Sequence, residues 1–185
     1  MTRSKMRLFA RRFGRYSAVF EREEATLISD LVDQVRQMLA GRRAESSADP
    51  LARMTGMVLA PGTPPTDPAL ARLLPDFHAS DTELAAGIRM LREPDLIAMK
   101  DASAVTLLDS LPRGGGAVHL DAETAQAWVS TLNDVRLALG VRLDIKDDDY
   151  EPPADADPEG MQMAIFATYR WLSAVQDSLV TALLD

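Results

Sequence analysis

Three consecutive glycines, Gly114-Gly115-Gly116, are the first residues whose type and spacing could do chemistry, since a run of glycine amides can cradle phosphate oxygens. A phosphate loop needs a strand before it and Gly-Lys-Ser/Thr leading into a helix. Here the run follows a helical stretch and leads into Ala117-Val118-His119-Leu120, so a helix end and a turn account for it. The two histidines are isolated: His78 lies in the loop-like Pro75-Asp76-Phe77-His78, and His119 alternates with Val118 and Leu120. Neither belongs to a His-Glu-x-x-His pair, and no serine sits in a Gly-x-Ser-x-Gly elbow. The run Asp147-Asp148-Asp149-Tyr150-Glu151 offers oxygens to a divalent cation but lacks the spacing and central glycine of an EF-hand. It reads as a solvated loop, and no metal or cofactor site is expected.

The stronger signal is electrostatic. Arg3, Lys5, Arg7, Arg11, Arg12 and Arg15 all precede the first acid, Glu21. Such a patch suits an acidic partner or a nucleic acid. Basic residues on edge strands also discourage edge-to-edge pairing, and pairing with the acidic 147–159 stretch is a further option. Edge protection is the plainer reading and a protein partner the next. A second polar group is Asn133, Asp134, Arg136 and Arg142. Asn133 is spaced four residues from both Val129 and Leu137, on an apolar helix face where an amide needs hydrogen-bond partners if buried, with Arg136 at hand. The partner-binding candidates are thus Arg7, Arg11, Arg12, Arg15, Asn133, Asp134, Arg136 and Arg142.

The elements that must position these residues follow from periodicity. Met6, Leu8 and Ala10, then Tyr16, Ala18 and Phe20, alternate with their neighbours on either side of Phe13-Gly14, which predicts a β-hairpin. Glu21 to Glu24 place acids at the start of a helix striped by Ile28, Leu31, Val32, Val35, Met38 and Leu39, with Gly41 as its stop. A loop is expected over 42–66, interrupted by a short helix over 51–57. Asp67-Pro68 opens a brief helix to Leu74. Ser80 and Glu83 read as a capping box for a helix bearing Leu84, Ile88 and Leu91, and Pro94 as the start of another burying Ile97, Val105, Leu108 and Leu111. A third short strand is open over 117–120. Asp121 caps a helix striped by Ala125, Trp128, Leu132, Val135 and Leu139, an acidic loop covers 144–159, and a last helix runs to Leu184. The fold class is therefore mainly α, a helical bundle with a small N-terminal β-hairpin, and the domain reading is a single unit over 1–185.

Composition limits the partners. The charge of −8 and sequence pI of 4.8 oppose a polyanion at long range, so direct nucleic-acid binding is disfavoured. Hydrophobic residues at 46% support a core that aromatics at 5% cannot fill, leaving Leu, Val, Ile, Ala and the nine methionines to do so. With no cysteine, disulfides, thiolate metal sites and cysteine nucleophiles are excluded, and the chain is expected to be cytoplasmic with no membrane association.

Four segments together resemble the actinomycete oxidative-stress-regulator (AosR-like) family, formerly a domain of unknown function. They are the basic hairpin running into Leu27-Ile28-Ser29-Asp30-Leu31-Val32-Asp33-Gln34-Val35; Asp67 to Asp76; Leu111-Pro112 to Gly116 with Leu120-Asp121, Ala127-Trp128 and Asn133 to Leu143; and Tyr169-Arg170-Trp171-Leu172 with Gln176 to Val180. The resemblance implies a non-enzymatic regulator that binds an extracytoplasmic-function sigma factor and promotes oxidative-defence and cysteine-biosynthesis genes. The family's redox switch rests on a closely spaced cysteine pair, so thiol sensing does not carry over to a cysteine-free sequence. The alternative is a small-ligand-binding protein or enzyme with a pocket between helices, where Asn133, Arg136 and His119 would converge.

Overall fold

The computed structural model describes residues 7–47, 60–145, 157 and 159–185. Its elements are β1 (Arg7–Arg12), β2 (Arg15–Phe20), α1 (Arg22–Ser47), α2 (Pro68–Leu73), α3 (Thr82–Ser110), β3 (Gly116–Leu120), α4 (Ala122–Arg142) and α5 (Met161–Leu184). The expected mainly helical architecture is present, and the strand left open over 117–120 forms. Phe13 and Gly14 both take positive φ, 50° and 75°, which is the handedness a two-residue hairpin turn requires.

The sheet is antiparallel in the order β1-β2-β3. Tyr16 faces Leu120 and Ala18 faces Val118 across β2 and β3, and these four are buried on the inner face with Phe9 and Phe20. The register of β1 shifts between Arg7 and Ala10. At that irregularity the Phe9 amide donates to Ser178 Oγ of α5 at 3.1 Å, which ties this edge strand to a helix. Phe9 and Phe20 pack on Trp128 of α4 with ring centroids 5.4 and 5.7 Å away, and Trp128 Nε1 donates to Ser110 Oγ at 2.8 Å. One apolar cluster joins this aromatic group to Ile28, Val32 and Leu39 of α1, Leu73 of α2, Leu107 of α3 and Leu172, Val175 and Leu179 of α5.

Four expectations need correction. Helix α1 does not stop at Gly41 but continues to Ser47, because Arg42 in the next position is buried. Its bonds to Glu93, Glu45 and the Thr63 carbonyl offset the roughly 1 kcal/mol that an interior glycine costs. Residues 42–47 are therefore helix rather than loop; the short helix expected over 51–57 and most of the acidic loop over 144–159 lie outside the described residues. The cap of α3 is Asp81, whose carboxylate accepts from the Leu84 amide at 2.9 Å, not Ser80; the Asp81 amide in turn donates to His78 Nδ1 at 3.0 Å. Pro94 starts no new helix but lies inside α3. Proline supplies no N–H to the carbonyl four residues back, and the Met90 carbonyl accepts instead from the Ala60 amide at 3.0 Å. Finally, the buried face of α3 is not the Leu84–Leu91 stripe. It consists of Ala85, Arg89, Glu93, Ile97, Ala104 and Leu107.

Candidate functional site

The hairpin places Arg12 and Arg15, direct partners across β1 and β2, on one side of the sheet. Alternation that buries Tyr16, Ala18 and Val118 inward sends Leu8, Ala10, Arg12, Arg15, Ser17, Val19, Ala117 and His119 outward. These line an open hollow of about 590 Å³, with Phe13 fully exposed at its lip. Its floor is apolar, its polar groups are two guanidiniums, a hydroxyl and an imidazole, and none of the lining residues is acidic. Arg11 and Arg15 are exposed like Arg12, and among the described residues none of the three forms an ion pair with a carboxylate. Arg15 nonetheless acts at a distance on Asp121. That carboxyl is held below its ordinary value first by the Thr124 hydrogen bonds of its helix cap and, to a smaller extent, by the Arg15 charge.

His119 Nδ1 and Ser17 Oγ lie 2.8 Å apart in this hollow. They are direct cross-strand partners in the β2–β3 register. Among the described residues no carboxylate pairs with the ring, so the contact lacks the orienting acid of an activated serine and is a cross-strand hydrogen bond.

The helical candidates scatter. Asn133, expected on an apolar face, is exposed, and the buried polar residue is its neighbour Asp134. Burial pushes the Asp134 carboxyl above its ordinary value, and a 2.6 Å bond from Lys100 Nζ of α3 pulls part of the way back. Arg136 is half-buried against α5: Nε donates to Ser173 Oγ at 2.8 Å, Nη1 to Gln176 Oε1, and the guanidinium lies 5.4 Å from the Tyr169 ring centroid. Arg142 is exposed in the last turn of α4, where the helix dipole favours a cation. Asn133, Arg136 and His119 therefore do not converge: the amide faces solvent, the guanidinium faces α5, and the imidazole lies on the far side of the sheet. No pocket between helices is built from them.

Sequence reasoning missed the most enclosed polar group. Glu93, fully buried, accepts from Arg42 Nε at 2.6 Å and from Arg89 Nη1 at 2.5 Å. Arg89 also donates to the carbonyls of Leu74 and Pro75 and to Asp76, and lies over the Phe77 ring. Burial alone would lower the pKa of the Arg42 guanidinium, but its bonds to Glu93 and Glu45 outweigh that and hold it above the ordinary value. The only trace in the sequence is the four-residue spacing of Arg89 and Glu93, which reads equally well as an exposed ion pair. Among the described residues no three metal-ligating side chains gather, and no helix is long and apolar enough to cross a membrane.

Comparison with known proteins places this architecture. The family described as a domain of unknown function, DUF2017, matches residues 6–183. A Mycobacterium bovis protein named oxidative stress regulator AosR is 34% identical over 183 residues, covering 92% of this chain and 83% of its own length. A Mycobacterium tuberculosis protein of that name shows the same figures. A Mycobacterium leprae protein named for the same regulator is 35% identical over 184 residues, with the same coverage. No solved structure matches the chain.

Proposed function

Because the chain belongs to the DUF2017 family, whose mycobacterial relatives are named oxidative stress regulators, we propose that it is a non-enzymatic regulator of transcription in the oxidative stress response, acting in the cytoplasm by protein–protein contact. The partner in this reading is a stress-type sigma factor of the extracytoplasmic-function class. The observation that carries it is the outer face of the sheet, where Arg12 and Arg15 flank an apolar floor of Leu8, Ala10, Val19 and Ala117 without a single carboxylate. An acidic amphipathic segment complements such a face, with apolar side chains on the floor and carboxylates on the guanidiniums. The chain's net charge of −8 keeps polyanions away while leaving this local patch to select among acidic proteins.

Having no cysteine, this chain has no thiol switch of its own in this reading, and any redox dependence enters through the partner. The test is titration calorimetry of the purified chain against the organism's stress-type sigma factors, with the Arg12→Glu/Arg15→Glu variant alongside. Binding that weakens at least about tenfold in the variant at low salt, with the difference shrinking as salt rises, supports the reading. Absence of binding to every such factor under both reducing and oxidising conditions rejects it.

A further inference from the structure

One apolar stripe of α3 points away from the core, in addition to the Ile97, Ala104 and Leu107 that enter it. Leu84, Leu91, Ala98 and Val105 recur every seven residues, Gly87 and Ala102 lie between them, and all six are exposed. Leu84, Leu91 and Val105 are 46, 60 and 36% exposed, with Met99 on the flank at 59%. Four of the molecule's large exposed apolar side chains thus lie on a single helix, opposite a buried face that holds Arg89 and Glu93. Single exposed apolar residues need no explanation, but a continuous stripe does.

We infer that this stripe is a homodimer contact in which the α3 helices of two copies cross antiparallel. The stripe is self-complementary about the middle of the helix, between Pro94 and Asp95. Residues equidistant from that point are Leu84 and Val105, Gly87 and Ala102, and Leu91 and Ala98. A two-fold axis there seats Leu91 of each copy on Ala98 of the other and sets the small residues Gly87 and Ala102 against each other, allowing close approach. This is the isologous geometry a two-fold dimer requires. The flanking charges agree. Arg92 and Asp95 are both exposed near the axis, and the axis brings each Arg92 within reach of the other copy's Asp95, which neutralises two carboxylates that would otherwise face each other.

The stripe from Leu84 to Val105 is about 32 Å long. At one helix width it buries about 350 Å² per copy, below the standard interface, so the dimer is a weak, concentration-dependent one. The basic hollow of the sheet lies on other elements and stays open in this arrangement.

Sedimentation equilibrium of the full chain across the micromolar range tests the inference. A monomer–dimer equilibrium is expected, with Leu91→Arg weakening it by roughly tenfold or more while the circular dichroism spectrum stays unchanged, as suits an exposed position. The absence of native cysteine makes orientation readable. A mixture of Leu84→Cys and Val105→Cys chains is expected to cross-link through a short bismaleimide to a greater extent than either variant alone. A chain that stays monomeric throughout the range, as it would if the stripe served another protein, overturns the inference. So does a dimer indifferent to Leu91→Arg, or cross-linking of Leu84→Cys with itself.

Discussion

Glu93→Gln tests whether α3 is fastened to its surroundings by charge enclosed in the core. The Glu93 carboxylate accepts from two guanidiniums, Arg42 and Arg89, that are themselves only 4 and 1% exposed. Glutamine keeps the volume, but its single oxygen can satisfy one arginine while its amide N–H groups turn a donor toward the other. The carboxylates left to these arginines, Glu45 and Asp76, are largely open to water and hold them weakly. The loss is therefore that of a buried pair broken from one side, about 3–5 kcal/mol. Out of a typical total of roughly 5–15 kcal/mol, that is a large share. Urea unfolding followed by far-ultraviolet circular dichroism measures it, with an unchanged dependence on denaturant confirming two-state behaviour. Adding Arg42→Met removes one of the stranded cations, so the double variant is expected to recover about 1–3 kcal/mol relative to the sum of the single losses. A loss for Glu93→Gln under about 1 kcal/mol, or strict additivity with Arg42→Met, would refute the reasoning.

Other positions give sharper, smaller effects. Thr131 Oγ1 is buried without a hydrogen-bond partner, so Thr131→Val is expected to stabilise the fold by about 0.5–1.5 kcal/mol in the same urea assay. Gly115 has φ +74° and a Cβ there would lie 2.6 Å from the Arg22 backbone nitrogen; Gly115→Ala is expected to cost about 1–3 kcal/mol, read as a lowered melting temperature. Asp134, with its folded pKa raised above 3.8, gives stability that is fully present below that value and lost as pH rises through the folded pKa. Unfolding midpoints measured upward from pH 3.8 are expected to fall relative to an Asp134→Asn variant whose slope lacks this contribution. Treating this chain alone with hydrogen peroxide is expected to leave partner binding unchanged in calorimetry, whereas a change would expose a redox route through methionine rather than cysteine.

Where local pattern and tertiary need agreed, the sequence was readable. Tyr16, Ala18 and Phe20 alternate because one side of β2 meets Trp128, and Val118 with Leu120 repeats the arrangement on β3. Asp67 and Asp121 cap helices through contacts three residues away, which any local reading reaches. The failures come from partners distant in sequence. The inward side of α3 carries Arg89 and Glu93 because Arg42, fifty-one residues before Glu93, completes the charge balance. Stripped of that partner, the apolar phase of α3 indicates Leu84 and Leu91 as core when they face outward. Asn133 and Asp134 exchanged roles for the same reason, since Lys100 on a neighbouring helix decides which polar side chain is tolerated inside. Of the partner-binding candidates, the hairpin arginines Arg12 and Arg15 share one surface, whereas Arg136 is occupied by Ser173 and Gln176.

The proline in the middle of α3 gives a neighbouring segment its hold on the helix. The carbonyl of Met90 is free to receive the Ala60 amide because residue 94 has no N–H to give it. The slowing of hydrogen exchange at Ala60 then measures how firmly that segment is held against α3. Pro94→Ala would give the carbonyl a donor from its own helix and make the two amides compete for it. Protection at Ala60 would fall while α3 itself grew firmer, a separation of loop from helix that no surface substitution in either would produce.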